Sequence, residues 1–152
     1  MKVLFVCLGN ICRSPTAQGV LSYLAKRHGV DIAVDSAGTA AYHLGKAPDP
    51  RSQSAAFERG IDMSRLKARQ VRVEDFYDFD MVFAMDQQNL ADLKSLRPDD
   101  AKAELSLFLD VYGSLNEVEV PDPYYGGQLG FDRVLDLLFD ACENFLQGRG
   151  LK

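Results

Sequence analysis

Cys7, Arg13 and Ser14 stand in the order Cys-x5-Arg-Ser, and the chemistry open to such a set is nucleophilic attack on a bound oxyanion. The stretch from Val3 to Cys7 is apolar, Gly9 follows, and a helical pattern begins near Ser14. A tight turn running into a helix N-terminus presents backbone N–H groups to an anion, and the helix dipole favours the negative charge. Arg13 adds a planar fork matched to two phosphate oxygens. A helix N-terminus and a guanidinium both favour a thiolate over a thiol, so Cys7 is expected to be an attacking sulfur aimed at phosphorus. The departing oxygen then needs a proton. Asp122, held between Pro121 and Pro123, is the candidate donor, because the prolines restrict its loop. Each residue also has a plainer reading. Cys7 could simply be a small hydrophobe ending a strand, and an aspartate between prolines is a common turn former.

The elements around these residues predict where they meet. Val3 to Cys7 reads as a strand buried on both faces. Ser14 suits a helix N-cap and Pro15 the first helical position, with apolar residues at helical spacing up to Leu24 and Gly29 closing the helix. Further strands are expected over Ile32 to Asp35, Phe79 to Met85 and Glu104 to Leu109. Helices are expected over Arg51 to Arg59, Gln87 to Leu96 and Phe131 to Gln147, and turn-rich loops over Ser36 to Asp49 and Val118 to Gly130. Ser64 to Asp78 carries no clear pattern. Strands alternating with helices imply βαβ units and an α/β fold. The expectation is a three-layer sandwich, with a central four-stranded parallel sheet and helices on both faces. Ligands of such sheets bind beyond the carboxyl ends of the strands, which is where Cys7 and the Asp122 loop fall.

The segment Cys7-Leu8-Gly9-Asn10-Ile11-Cys12-Arg13-Ser14-Pro15 resembles the phosphate-binding loop of the low-molecular-weight protein tyrosine phosphatases. Asp35-Ser36-Ala37-Gly38-Thr39, Pro48-Asp49-Pro50-Arg51, Ala68-Arg69-Gln70, Met85-Asp86 and Asp122-Pro123-Tyr124-Tyr125-Gly126 match the family's landmarks in order. The resemblance implies a protein-tyrosine-phosphatase acting through a phosphocysteine on Cys7. Leu8, Gly9, Asn10, Ile11, Cys12, Arg13 and Ser14 would bind phosphate, and Asp122 would serve as general acid and then base. It further implies a left-handed Asn10 braced by a network that includes Ser36, with Ser14 assisting the sulfur. Many relatives place a His in that network where this chain has Leu66, so a more weakly braced loop is expected. Tyr42, Asp49, Tyr124 and Tyr125 would form the substrate rim. Cys12 would be a redox partner able to trap an oxidised Cys7 as a disulfide. No metal and no cofactor are implied.

Composition bounds the rest. The chain has 152 residues, suited to a single domain spanning 1–152, and a net charge of -5, which speaks against nucleic acid and anionic membranes as partners. Three cysteines make no secreted disulfide framework and fit a reducing, cytoplasmic compartment. The apolar N-terminal run is too short for an export signal. Cys142 is expected in the core, and His28 and His43 on the surface. The expected partners are phosphotyrosine proteins, with a bacterial tyrosine kinase as one candidate, and phosphate or other oxyanions as inhibitors; the expected state is a monomer. The alternatives on the same fold are an arsenate reductase, a phosphoarginine phosphatase and a non-catalytic oxyanion-binding or redox module. The first would need relay cysteines. Relatives of the second kind carry Thr at the place of Ile11.

Overall fold

The first strand organises the molecule because its two faces feed two different cores. In the computed structural model, which describes residues 1–123 and 127–148, β1 (Lys2–Cys7) is buried throughout after Lys2. Side chains alternate along a strand. Val3, Phe5 and Cys7 therefore join one apolar cluster, while Leu4 and Val6 join the other. The chain continues through α1 (Arg13–Arg27), β2 (Ala33–Gly38), α2 (Pro50–Phe57), α3 (Asp75–Asp78), β3 (Met81–Ala84), α4 (Gln87–Leu96), β4 (Glu104–Leu107), α5 (Phe108–Tyr112) and α6 (Gln128–Leu146). The four strands form one parallel sheet in the order β2-β1-β3-β4. Residues of α1, α2, α5 and α6 pack on the first face and residues of α3 and α4 on the second. This is the expected three-layer α/β sandwich.

Strand order reverses direction between β1 and β3. Such a switch point opens a crevice at the carboxyl ends of the strands. Cys7 ends β1, paired with Gly38 at the end of β2, and Met85-Asp86 follow β3.

Several boundaries differ from the sequence expectations. Ser14 does not cap α1. The helix starts at Arg13, with Cys12 as N-cap and no side-chain cap, because the Ser14 hydroxyl is turned inward to Cys7 and Asn10. Pro15 remains in the first turn, where a missing N–H costs nothing. β2 continues to Gly38 rather than stopping at Asp35, since each added residue pairs with β1. β4 stops at Leu107, and Phe108 and Leu109 begin α5. Both pack into the same cluster, which two successive strand residues cannot do. Helix α2 begins at Pro50 and α6 at Gln128, each ahead of its expected start. Cys142 is fully buried, as expected, and His28 lies exposed beside Glu143.

Candidate active site

The turn after β1 wraps around the Cys7 sulfur. Cys7 Sγ lies 3.0 Å from Ser14 Oγ and accepts from the Asn10 N–H at 3.3 Å. The carbonyls of Leu8, Ile11 and Cys12 accept outward, from the N–H groups of Ala40, Asp49 and Thr16. Within a planar peptide unit the N–H points opposite to the C=O, so the N–H groups of Gly9, Cys12 and Arg13 turn to the concave side. Asn10 adopts φ 57, the left-handed region that Asn tolerates better than most residues. Its side chain holds it there. Nδ2 donates to Ser14 Oγ at 2.8 Å and to Ser36 Oγ at 2.9 Å, and Oδ1 accepts from the Arg69 N–H at 3.0 Å. The Arg69 guanidinium is in turn gripped by Asp35 and the buried Asp75. The weak bracing expected from Leu66 is not what the loop shows. Leu66 packs against the core, and Gln18 Oε1 accepts from Ser36 Oγ at 2.7 Å, so the network closes through an amide on α1.

Arg13 crosses from the loop to the neighbouring strand ends. Its guanidinium is almost wholly buried; Nη1 donates to Asp86 Oδ2 at 2.6 Å and to the Val120 carbonyl at 3.2 Å. Nη2 stands 3.9 Å from Asp122 Oδ2. Burial alone would lower the guanidinium's affinity for its proton, but Cys7 and Asp86 override it and the pKa is raised. Asp86 is itself fixed as the N-cap of α4: Oδ1 accepts from the Asn89 N–H at 2.7 Å and the Asn89 side chain returns a bond to the Asp86 N–H. Cys7, Leu8, Gly9, Ile11, Cys12, Arg13, Tyr42, His43 and Asp122 line a single cleft of about 310 Å³.

A family profile described as low molecular weight phosphotyrosine protein phosphatase matches residues 2–151. The chain belongs to this family. It is 42% identical over 150 residues to the human low molecular weight phosphotyrosine protein phosphatase, covering 96% of this chain and 94% of that one. It is 40% identical over 150 residues to the Schizosaccharomyces pombe enzyme of the same name, covering 97% and 96%. The crystal structure of a protein tyrosine phosphatase from Entamoeba histolytica, with Hepes in its active site, superposes with a TM-score of 0.90 at 42% identity, covering 97% of this chain and 95% of that chain. As a member of this family the chain is a protein tyrosine phosphatase, a hydrolase.

Within this phosphatase the cleft wall departs from the sequence reading at two residues, Asp49 and His43. Tyr42 does flank the cleft, 72% exposed and edge-on to His43. Asp49 does not line it. It is buried, caps α2 through the Arg51 N–H and pairs with the Arg51 guanidinium, so its charge goes to the helix start. His43, expected on the surface, is half-buried over Gly9 and forms part of the cleft wall; a Cβ on Gly9 would come 3.0 Å from its ring. Tyr124 and Tyr125 lie outside the described residues. Cys12 is buried in the wall of the same cleft as Cys7, and burial pushes its thiol up to about 12. Among the described residues no group of three or more His, Cys, Asp or Glu could hold a metal ion, and no helix is long and apolar enough to cross a membrane.

Sequence reasoning also missed Asp86, Arg69 and Gln18. Asp86 had a usable signal: a carboxylate at the carboxyl end of a buried strand, followed three residues later by Asn89. The roles of Arg69 and Gln18 depend on a backbone N–H and on which helix face meets β2, which no spacing announces.

Proposed function

We propose that residues 1–152 act as one phosphatase domain that hydrolyses phosphotyrosine in proteins, with Cys7 as nucleophile, Arg13 and the loop amides as the phosphate cradle, and Asp122 as general acid and base. The observation that carries this reading is the convergence of three groups on one cleft: the Cys7 sulfur held by Ser14 and the Asn10 amide, the Arg13 guanidinium, and the Asp122 carboxyl 3.9 Å from that guanidinium. In the first step the sulfur lone pair forms an S–P bond, the P–O bond to the tyrosine breaks, and Asp122 gives its proton to the departing oxygen. In the second step Asp122 takes a proton from water, the water oxygen bonds to phosphorus, and the S–P electrons return to Cys7. Ser14 donates to that departing sulfur. Arg13 and the inward N–H groups stabilise the equatorial oxygens in both steps.

A thiol relay of the arsenate-reducing kind finds no support, since Cys142 sits fully buried in the α6 core. The substrates in this reading are phosphotyrosine proteins, with a bacterial tyrosine kinase among them, met in the cytoplasm by a monomer; inorganic phosphate competes for the cradle. Cys12, in the wall of the same cleft, serves as the resolving thiol once Cys7 is oxidised to a sulfenic acid by a peroxide, forming the Cys7–Cys12 disulfide with loss of water. The test is a panel of phosphotyrosine, phosphoserine, phosphothreonine and phosphoarginine peptides run on the wild type, Cys7→Ser and Asp122→Asn. Hydrolysis confined to phosphotyrosine, abolished by Cys7→Ser and slowed about 10²–10⁴-fold by Asp122→Asn, is expected. Near wild-type turnover by Cys7→Ser, or preference for phosphoarginine, would overturn the reading.

A further inference from the structure

Gln18 sits on α1 one turn after Ser14, half-buried against β2. Its Nε2 donates to the Val34 carbonyl at 3.3 Å and its Oε1 accepts from Ser36 Oγ at 2.7 Å. A backbone carbonyl can only accept, so Val34 fixes which way round the amide lies, and Ser36 must give its single hydroxyl hydrogen to Gln18. Ser36 Oγ then has only lone pairs to offer Asn10, whose Nδ2 donates to it at 2.9 Å. The far end is fixed independently. Asn10 Oδ1 faces the Arg69 N–H, which can only donate, so both hydrogens of Nδ2 go to hydroxyl oxygens, one on Ser36 and one on Ser14. Ser14 Oγ receives that hydrogen and keeps its own for an acceptor. Two compete for it: Cys7 Sγ at 3.0 Å and the Ala37 carbonyl at 3.3 Å.

We infer that Gln18 is a positioning residue for the nucleophile, setting the direction of a hydroxyl and amide relay that runs Gln18–Ser36–Asn10–Ser14 and ends on the Cys7 sulfur. This rests on the reading of Cys7 as nucleophile. Leu66, which lines the same groove as Gln18, has no polar atom to offer Ser36. Without the Gln18 oxygen the Ser36 hydroxyl loses its fixed orientation, the Asn10 amide loses one of its two set acceptors, and the Ser14 hydrogen is drawn to Ala37. The step that suffers is the second. There the S–P bond breaks and an electron pair returns to sulfur, where the Ser14 O–H stabilises it.

The experiment compares Gln18→Met, Ser36→Ala, the double variant and Gln18→Glu on p-nitrophenyl phosphate, with rapid mixing to resolve the first turnover and Cys7→Ser as control. Gln18→Met should lower kcat about tenfold, leave KM within about twofold, and release a burst of p-nitrophenol as phosphoenzyme accumulates. Acting through one relay, the double variant should fall within about twofold of Ser36→Ala alone. Gln18→Glu keeps an oxygen toward Ser36 but loses the bond to the Val34 carbonyl, and should stay closer to wild type in kcat than Gln18→Met. Wild-type kcat in Gln18→Met, a loss confined to KM or to thermal stability, or a double variant slowed by the product of the single effects would overturn the inference. If Cys7→Ser is inactive while Gln18→Met is normal, only the role of Gln18 fails; an active Cys7→Ser removes the underlying reading itself.

Discussion

Asp86 touches both the stability of the phosphatase and its chemistry, and two substitutions separate the charge from the shape. Its two oxygens have distinct tasks: Oδ2 takes the buried Arg13 guanidinium at 2.6 Å, and Oδ1 takes the Asn89 N–H at the start of α4. Asp86→Asn has one oxygen for these two donors: if it accepts from Arg13, its amide N–H2 faces the Asn89 N–H and the cap of α4 is lost, at about 1 kcal/mol. It also exchanges a charge-assisted bond for a neutral one, a loss of about 1–1.5 kcal/mol. Asp86→Ala removes both acceptors. Stripping one partner from a buried ion pair costs about 3–5 kcal/mol and losing a cap about 1 kcal/mol. The Val120 carbonyl and Asp122 still face Arg13, so the lower end of the sum applies, about 4 kcal/mol. At about 2–4 °C per kcal/mol for a domain of this size, melting should fall by about 4–10 °C for Asn and by about 8–16 °C for Ala. The Arg13 fork, which in the proposed reading grips phosphate, is aimed by the same contact. With Asp86→Ala it is free to swing, and kcat/KM on an aryl phosphate should drop about 100-fold, against about tenfold or less for Asn. Thermal melts and steady-state kinetics on both variants suffice. Equal melting temperatures, or an alanine variant within threefold of wild-type kcat/KM, would refute the idea that Asp86 aims Arg13.

Gly38→Ala should disturb the loop from behind, because a Cβ there would sit 2.7 Å from the Leu8 carbonyl and 3.2 Å from the Asn10 N–H; kcat/KM should fall at least tenfold with a lowered melting temperature. Asp75→Ala, which strips the buried partner of Arg69, should cost about 3–5 kcal/mol in denaturant unfolding. The Cys12 thiol, raised to about 12, should stay protonated at pH 8, so a Cys7→Ser protein should take up almost no iodoacetamide while folded. The same shift makes stability pH-dependent: an unfolded Cys12 ionises near 9.0 while the folded one holds its proton to about 12. Its contribution is therefore complete below pH 9 and lost as pH rises toward 12, by up to about 1.4 kcal/mol per pH unit, a slope that Cys12→Ala should flatten.

The β1 strand, the turn and the capped-looking helix after it were legible because their signals are local: an apolar run, Gly9, and apolar residues at helical spacing. Ser14 shows the limit of that logic. Its type suits a cap, yet a hydroxyl at that position can also turn inward, and the sulfur and the Asn10 amide outcompete the helix N–H groups. Asp49 shows the opposite case: the resemblance implies a rim carboxylate, yet the nearest unsatisfied donors are those at the start of α2. The extra length of β2 and the switch to α5 after Leu107 depend on which neighbours each residue meets, and a single strand's pattern carries no such information. Asp86 and Gln18 became functional only when β3 and β2 came to lie on either side of β1.

Val120 has one further consequence, for inheritance. Its N–H donates to the Met85 carbonyl at 2.8 Å and its own carbonyl accepts from Arg13, so the chain is pinned two residues ahead of Asp122. Between α5 and that pin run residues 114–119, exposed except for the half-buried Glu117, with Glu117 paired to Arg133 and Glu119 accepting from the Gln87 N–H. Substitutions at the exposed Leu115 and Val118 leave both bonds that hold Val120 in place. Drift there alters what the surface meets, while the two-residue reach from Val120 to Asp122 is unchanged.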